Sequence, residues 1–163
     1  RLIFMETEKM EKLYQEIAEG INEIIPTEWE KVYLYAEILD DSSEVFFYFN
    51  VPQNKDYIYS HNIPEHFNVS EDIYDELLFE LHDLFEDLQN EFKQNNSEVW
   101  TNLTLTLERN GKFSMDYNYD DVIKSDLNGS QRQIIWEYKN LGIFPNDEDN
   151  IRFLEEYLNS NNN

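Results

Sequence analysis

The 163 residues carry 35 Asp and Glu against 12 Lys and Arg, a net charge of −23, with 40% hydrophobic and 15% aromatic residues and no cysteine. This excludes a disulfide framework, a thiolate nucleophile and a cysteine zinc site, while leaving ample material for a core. It also disfavours nucleic acid and anionic membranes, which recruit cations, and suits a basic protein partner steered in by the field, although such charge also serves solubility.

The chain opens on Arg1-Leu2-Ile3-Phe4, too short for a secretory leader. Residues 1–4 are expected to be upstream material, with Met5 as the natural start. With no leader, and no apolar run of about 18 residues, a cytoplasmic location is expected.

The first helix is read from Met10, Leu13, Tyr14, Ile17, Ala18, Ile21, Ile24 and Ile25, which recur at steps of three and four between a Thr7 cap and Pro26. From Trp29 the period becomes two. Val32, Leu34, Ala36 and Ile38 share one face of a strand, and Tyr33, Tyr35 and Glu37 the other. Asp40–Ser43 is a turn, and Glu44–Asn50 returns as a second strand. A short third strand is expected around Tyr57–Tyr59, and a loop over Ser60–Asn68.

Ser70 is the expected cap of a second long helix. Its apolar stripe is Ile73, Tyr74, Leu77, Leu78, Leu81, Leu84, Phe85, Leu88 and Phe92. Glu71, Asp72, Glu76, Glu80, Asp83, Glu86, Asp87 and Glu91 fill the rest of its surface. Acids near the helix N-terminus suit its dipole, but those near the C-terminus do not, so this helix is more acidic than folding requires.

Alternation from Val99 to Glu108, with Trp100, Asn102, Thr104 and Thr106 opposite Leu103, Leu105 and Leu107, runs into Asn110-Gly111 and back through Phe113, Met115, Tyr117 and Tyr119. That pattern predicts a β-hairpin with a type I′ turn. Ser130 and Gln133 are the expected capping box of the next helix, and Gly142 its left-handed stop. Asp147 is expected to open a last helix, and Asn159–Asn163 to form a frayed polar tail. The order α-β-β-(β)-α-β-β-α-α implies one α+β domain over residues 5–158. Its antiparallel sheet of about five strands should have the long helices packed on one face.

Chemistry is sparse. His61, His66 and His82 lack metal-ligand spacing, and Gly20, Gly111, Gly129 and Gly142 are isolated, so no phosphate loop forms. Asp116, Asp120, Asp121 and Asp126 do not fit an EF-hand. No catalytic residue, cofactor or metal is expected. The surplus of strand aromatics fits a binding surface, with Tyr33, Tyr35, Tyr48 and Trp100 as candidate anchors on the sheet face away from the helices. The competing explanation is that these rings support one another across the sheet.

Three segments carry a family likeness: Trp29-Glu30-Lys31-Val32-Tyr33-Leu34-Tyr35-Ala36-Glu37, Ser43-Glu44-Val45-Phe46-Phe47-Tyr48-Phe49, and Gly111-Lys112-Phe113-Ser114-Met115-Asp116-Tyr117-Asn118-Tyr119-Asp120. Over residues 5–145 the chain resembles the YezG-type antitoxins, which include the EsaG-like immunity proteins of Gram-positive bacteria. The resemblance implies a cytoplasmic immunity protein. Such a protein binds the C-terminal toxic domain of a polymorphic or LXG-type toxin, often a DNase exported by a type VII secretion system. It carries over no catalytic residue.

The expected partner is therefore a cognate toxin with a basic surface. Asp83, Glu86 and Asp87 of the second long helix, with Asp116, Asp120 and Asp121, are expected to steer it. Two rival readings stand beside this one: an acidic chaperone or adaptor for an exported protein, and a metal-dependent hydrolase using the Asp116–Asp121 cluster.

Overall fold

The computed structural model describes residues 5–161. The chain groups into two compact units that meet in sequence between Asp120 and Asp121. The expectation about residues 1–4 lies outside the described residues.

In the first unit, helix α1 covers Glu8–Ile24, and strands β1, β2 and β3 cover Lys31–Ile38, Ser43–Val51 and Asn54–Tyr59. The segment read as a loop holds a 3₁₀ turn, Ser60–Asn62, and a short helix α2, Ile63–Phe67. Pro64 in the first turn of α2 is the reason: its fixed φ suits a helix start, where its missing N–H costs nothing. Asn68, at φ 54°, then ends α2 in the left-handed region. Helix α3 covers Glu71–Asn95, and the hairpin strands β4 and β5 cover Asn102–Glu108 and Phe113–Asn118.

The five strands form one antiparallel sheet in the order β3-β2-β1-β4-β5. The α+β class and the five-stranded antiparallel sheet are as expected. Register follows from the alternation: Leu34 lies between Phe47 and Leu105, and Ala36 between Val45 and Leu103, all on the buried face. Met10, Leu13, Ile17, Ile21 and Ile24 of α1, with Leu81, Phe85, Leu88 and Phe92 of α3, join that face in one core. A Cβ on Gly20 would come within 3.0 Å of Leu81 Cδ2, so the glycine permits the close approach of α1 to α3. The Tyr14 and Tyr117 hydroxyls share a hydrogen bond of 2.8 Å between α1 and β5.

In this unit two local expectations need correction. The hairpin turn is not type I′, because Gly111 has a positive φ (92°) but Asn110 does not. Hydrogen bonds from Glu108 N to Lys112 O and from Gly111 N to Glu108 O close a three-residue loop, in which a single glycine supplies the left-handed turn. Ser70 stands at the N-cap of α3 as expected, with no side-chain capping bond. Ile73 is 55% exposed and so lies outside the core.

The second unit holds helices α4, Gly129–Leu141, and α5, Glu148–Asn161. Its capping box is Asn128/Gln131, not Ser130/Gln133: Asn128 Oδ1 accepts from Gln131 N at 2.9 Å, and Gln131 Oε1 accepts from Asn128 N at 3.0 Å. Gly142, at φ 67°, ends α4 as expected. Asp147 accepts from the Asn150 amide at the start of α5. α5 continues to Asn161, into the stretch expected to fray; residues 162 and 163 lie outside the described residues. Among the described residues no helix is long and apolar enough to cross a membrane.

Candidate partner-binding surface

Helix α3 sorts its residues by face. Tyr74, Leu81, Phe85, Leu88 and Phe92 are buried, whereas Asp83, Glu86 and Asp87 are exposed along with Glu71, Asp72, Asp75, Glu76 and Glu80. Only the first-turn acids offset the helix dipole; Lys93 is the basic residue of the last turn. The rest form a negative band running the length of the helix. Phe79, at 69% exposure, stands on the same side and was absent from the sequence reading. The signal was available: an aromatic ring occupies a position where the 3.6-residue period calls for a polar side chain.

The sheet face turned away from α1 and α3 carries the expected tyrosines. Register places Tyr33 between Tyr48 and Thr106, and Tyr35 between Phe46 and Thr104. Tyr33 is half-buried. Its ring meets Tyr57 edge-on at 5.8 Å, and Lys31 Nζ lies 4.9 Å from its centroid. Tyr35 and Tyr48 are 7% and 8% exposed, leaving them little area to lose to a partner. Tyr35 donates to Glu37 Oε1 at 2.7 Å and packs on Phe46, while Tyr48 packs on Tyr59 at 5.1 Å. Cross-strand support therefore accounts for these two rings.

Trp100 does not share that face. It precedes β4, where the alternation has not yet begun, and it is fully buried in the core with its ring 5.7 Å from Tyr117. Its indole Nε1 is buried without a hydrogen-bond partner. A surface anchor with no exposed area cannot make first contact, so Trp100 is a core residue.

Asp116 is exposed on edge strand β5, opposite Thr104. Asp120 is also exposed, and its backbone carbonyl accepts from Thr101 Oγ1 at 2.6 Å. Asp121, the first residue of the second unit, pairs with Lys124 at 3.9 Å. Among the described residues, no three His, Asp or Glu side chains converge to hold a metal ion.

The histidines are structural in placement. His61 Nδ1 bonds to Tyr74 Oη at 2.8 Å, and His82 Nδ1 to Ser43 Oγ at 2.7 Å. Burial pushes His82 below the usual imidazole range, against the opposing pull of Glu44, Glu86 and Asp83. His66 is exposed.

Basic residues collect at one end of the sheet, where Lys31 opens β1, Arg109 lies in the hairpin loop and Lys112 follows it. Arg109 Nη1 lies 3.9 Å from Glu30 Oε2, and Lys112 Nζ lies 4.0 Å from Glu108 Oε2. Two open depressions of about 420 and 460 Å³ share Arg109. One is lined by Asn22, Pro26, Thr27, Glu28 and Trp29, the other by Glu30, Lys31, Asn50, Glu108 and Asn110.

Residues 10–155 match the family model described as "Immunity protein YezG-like". The chain is 64% identical over 157 residues to "Immunity protein YezG" of Bacillus spizizenii (strain ATCC 23059 / NRRL B-14472 / W23), covering 96% of this chain and 98% of the relative. It is 58% identical over 149 residues to "Immunity protein YezG" of Bacillus subtilis (strain 168), covering 91% and 99%. Against "Type VII secretion system protein EsaG" of Staphylococcus aureus (strain NCTC 8325 / PS 47) it is 38% identical over 154 residues, covering 93% and 94%. A family match over nearly the whole chain, with relatives matched end to end, establishes that the chain belongs to the YezG-like immunity protein family.

Proposed function

We infer that this protein protects the cell that makes it by binding the C-terminal nuclease domain of a cognate secreted toxin, of polymorphic or LXG type, and blocking it stoichiometrically. It acts in the cytoplasm before the toxin leaves, as a binder and not as an enzyme. Family membership supports the immunity role, and the name of the staphylococcal relative supports a link to type VII secretion.

The observation that carries the nuclease reading is the acidic face of α3, extended well past the first turn where the helix dipole would use it. A DNA-cleaving domain needs a cationic surface for phosphate, and a negative surface complements it. Asp83, Glu86 and Asp87 on α3, with Asp116, Asp120 and Asp121, steer the encounter. Such steering raises association above the roughly 10⁵–10⁶ M⁻¹s⁻¹ of neutral partners and falls with salt. Tyr33, half-buried beside Lys31 and Tyr57, is the member of the tyrosine set with surface left for contact.

The test is DNA cleavage by the C-terminal domain of the toxin encoded beside this gene, titrated with this protein. Loss of cleavage at one equivalent is expected. Undiminished cleavage within a stable complex would instead identify an adaptor for an exported protein. Undiminished cleavage with no complex would overturn the binding reading altogether.

A further inference from the structure

Charge explains how α3 attracts a cationic partner but not how it holds one, because exposed ion pairs contribute little once formed. Phe79 supplies what the charges lack. It lies across the helix from the buried line of Tyr74, Leu81, Phe85, Leu88 and Phe92, and is 69% exposed. Its helical neighbours at three and four residues are Asp75, Glu76, His82 and Asp83. The His82 ring lies beside it, with centroids 6.4 Å apart, and is itself fixed by the hydrogen bond to Ser43. Burial disfavours the charged form of that ring, so at neutral pH the wall beside Phe79 is not a competing cation. Ile73, 55% exposed, adds apolar surface near the start of the helix, with Glu76 three residues from both.

We propose that Phe79, supported by Ile73, anchors a docking surface for a cationic protein. Its ring enters an apolar socket on the partner, and lysines and arginines around that socket meet Asp75, Glu76, Asp83 and Glu86. An aromatic anchor ringed by polar groups that exclude water is how a few residues come to dominate an interface. Charge complementarity selects the occupant: a second copy of this chain, docked symmetrically, would bring two acidic faces together. The identity of the occupant as the toxin's nuclease domain rests on the immunity reading above.

The test measures binding kinetics of the C-terminal domain of the neighbouring toxin against the full chain, Phe79→Ala, and the control Ile123→Ala, whose side chain is equally exposed in the other unit. Phe79→Ala is expected to weaken binding by at least about thirtyfold, mostly through faster dissociation, with association rate and salt dependence kept. Ile123→Ala is expected to bind as the parent does. Unchanged thermal unfolding of Phe79→Ala would confirm that the loss is not misfolding. Parent-like affinity of Phe79→Ala, in a protein that still blocks cleavage, would overturn the anchor and leave the immunity reading standing. Sedimentation showing a dimer of the parent that Phe79→Ala dissolves would overturn it too, by assigning the face to a second copy. Failure of the parent itself to bind would overturn both.

Discussion

Helices α1 and α3 contribute to the same core, yet they meet solvent differently. α1 buries Met10, Leu13, Ile17, Ile21 and Ile24 and mixes Lys9 and Lys12 among its acids, with a Thr7 cap bonded to Met10 N at 3.1 Å. α3 buries a comparable stripe but carries nine acids against one lysine, and exposes Phe79 and Ile73. A helix needs an apolar face and tolerable ends to fold. α1 carries Glu16, Glu19 and Glu23 past its first turn, partly offset by Lys9 and Lys12. α3 goes further, with its acids offset by a single lysine and with two apolar side chains, Ile73 and Phe79, exposed to water. On the function proposed above, α1 belongs to the scaffold and the outer face of α3 to recognition.

The largest effects should separate the two faces of α3. Phe85→Ala removes a fully buried ring and should cost about 3–5 kcal/mol of unfolding free energy in urea titrations, whereas Phe79→Ala should change it by less than about 0.5 kcal/mol. Equal costs would mean that Phe79 is part of the fold, and the contrast would fail.

A smaller effect sharpens the scaffold side. Burial raises the Tyr117 phenol above its ordinary range, with the hydrogen bond to Tyr14 adding to the rise, and burial also raises Tyr14, there against the pull of the same hydrogen bond. The folded state therefore favours the protonated phenols. Their contribution is fully present below the unfolded pKa of about 10 and is lost as pH rises above it. Tyr14→Phe should cost roughly 1 kcal/mol at neutral pH and flatten the alkaline fall of stability in pH-dependent denaturation. An unchanged alkaline limb would show that the pair is not coupled to folding.

The smallest concerns His82, whose proton affinity is lowered by burial. Here the unfolded chain binds the proton more readily, so stability is present above the unfolded pKa of about 6.5 and declines as pH falls through it. His82→Gln should flatten that acid limb, read from melting temperatures between neutral and mildly acidic pH. A limb of the same slope would place its origin elsewhere.

Much of the scaffold could be read directly from sequence, because period alone sets which residues face the core. Alternation gave the buried sides of β1, β2 and β4, and the 3.6-residue stripe gave those of α1 and most of α3. The errors have physical causes. Alternation tells which side of a sheet a ring occupies but not how deeply that side is covered, hence Tyr35 and Tyr48. It also assumes a strand, and Trp100 lies just outside one. Asn110-Gly111 fits two hairpin loops, and only the backbone angles separate them. Ile73 belongs to the period of α3 but falls at its rim, where no core remains to bury it. Phe79 could have been noticed as the one aromatic residue of that helix out of phase with its stripe.

The most direct test of the contrast between the helices holds net charge fixed and moves only its position. One variant carries Asp83→Lys, Glu86→Lys and Asp87→Lys on α3, and the other Glu11→Lys, Glu19→Lys and Glu23→Lys on α1, all exposed acids. Association rates with the toxin domain are measured at low and physiological salt. The α3 variant should associate at least about tenfold more slowly at low salt, while the α1 variant stays near the parent, because steering depends on where charge faces the partner. Equal slowing of both variants would show that bulk charge alone attracts the partner, and would contradict a recognition face on α3.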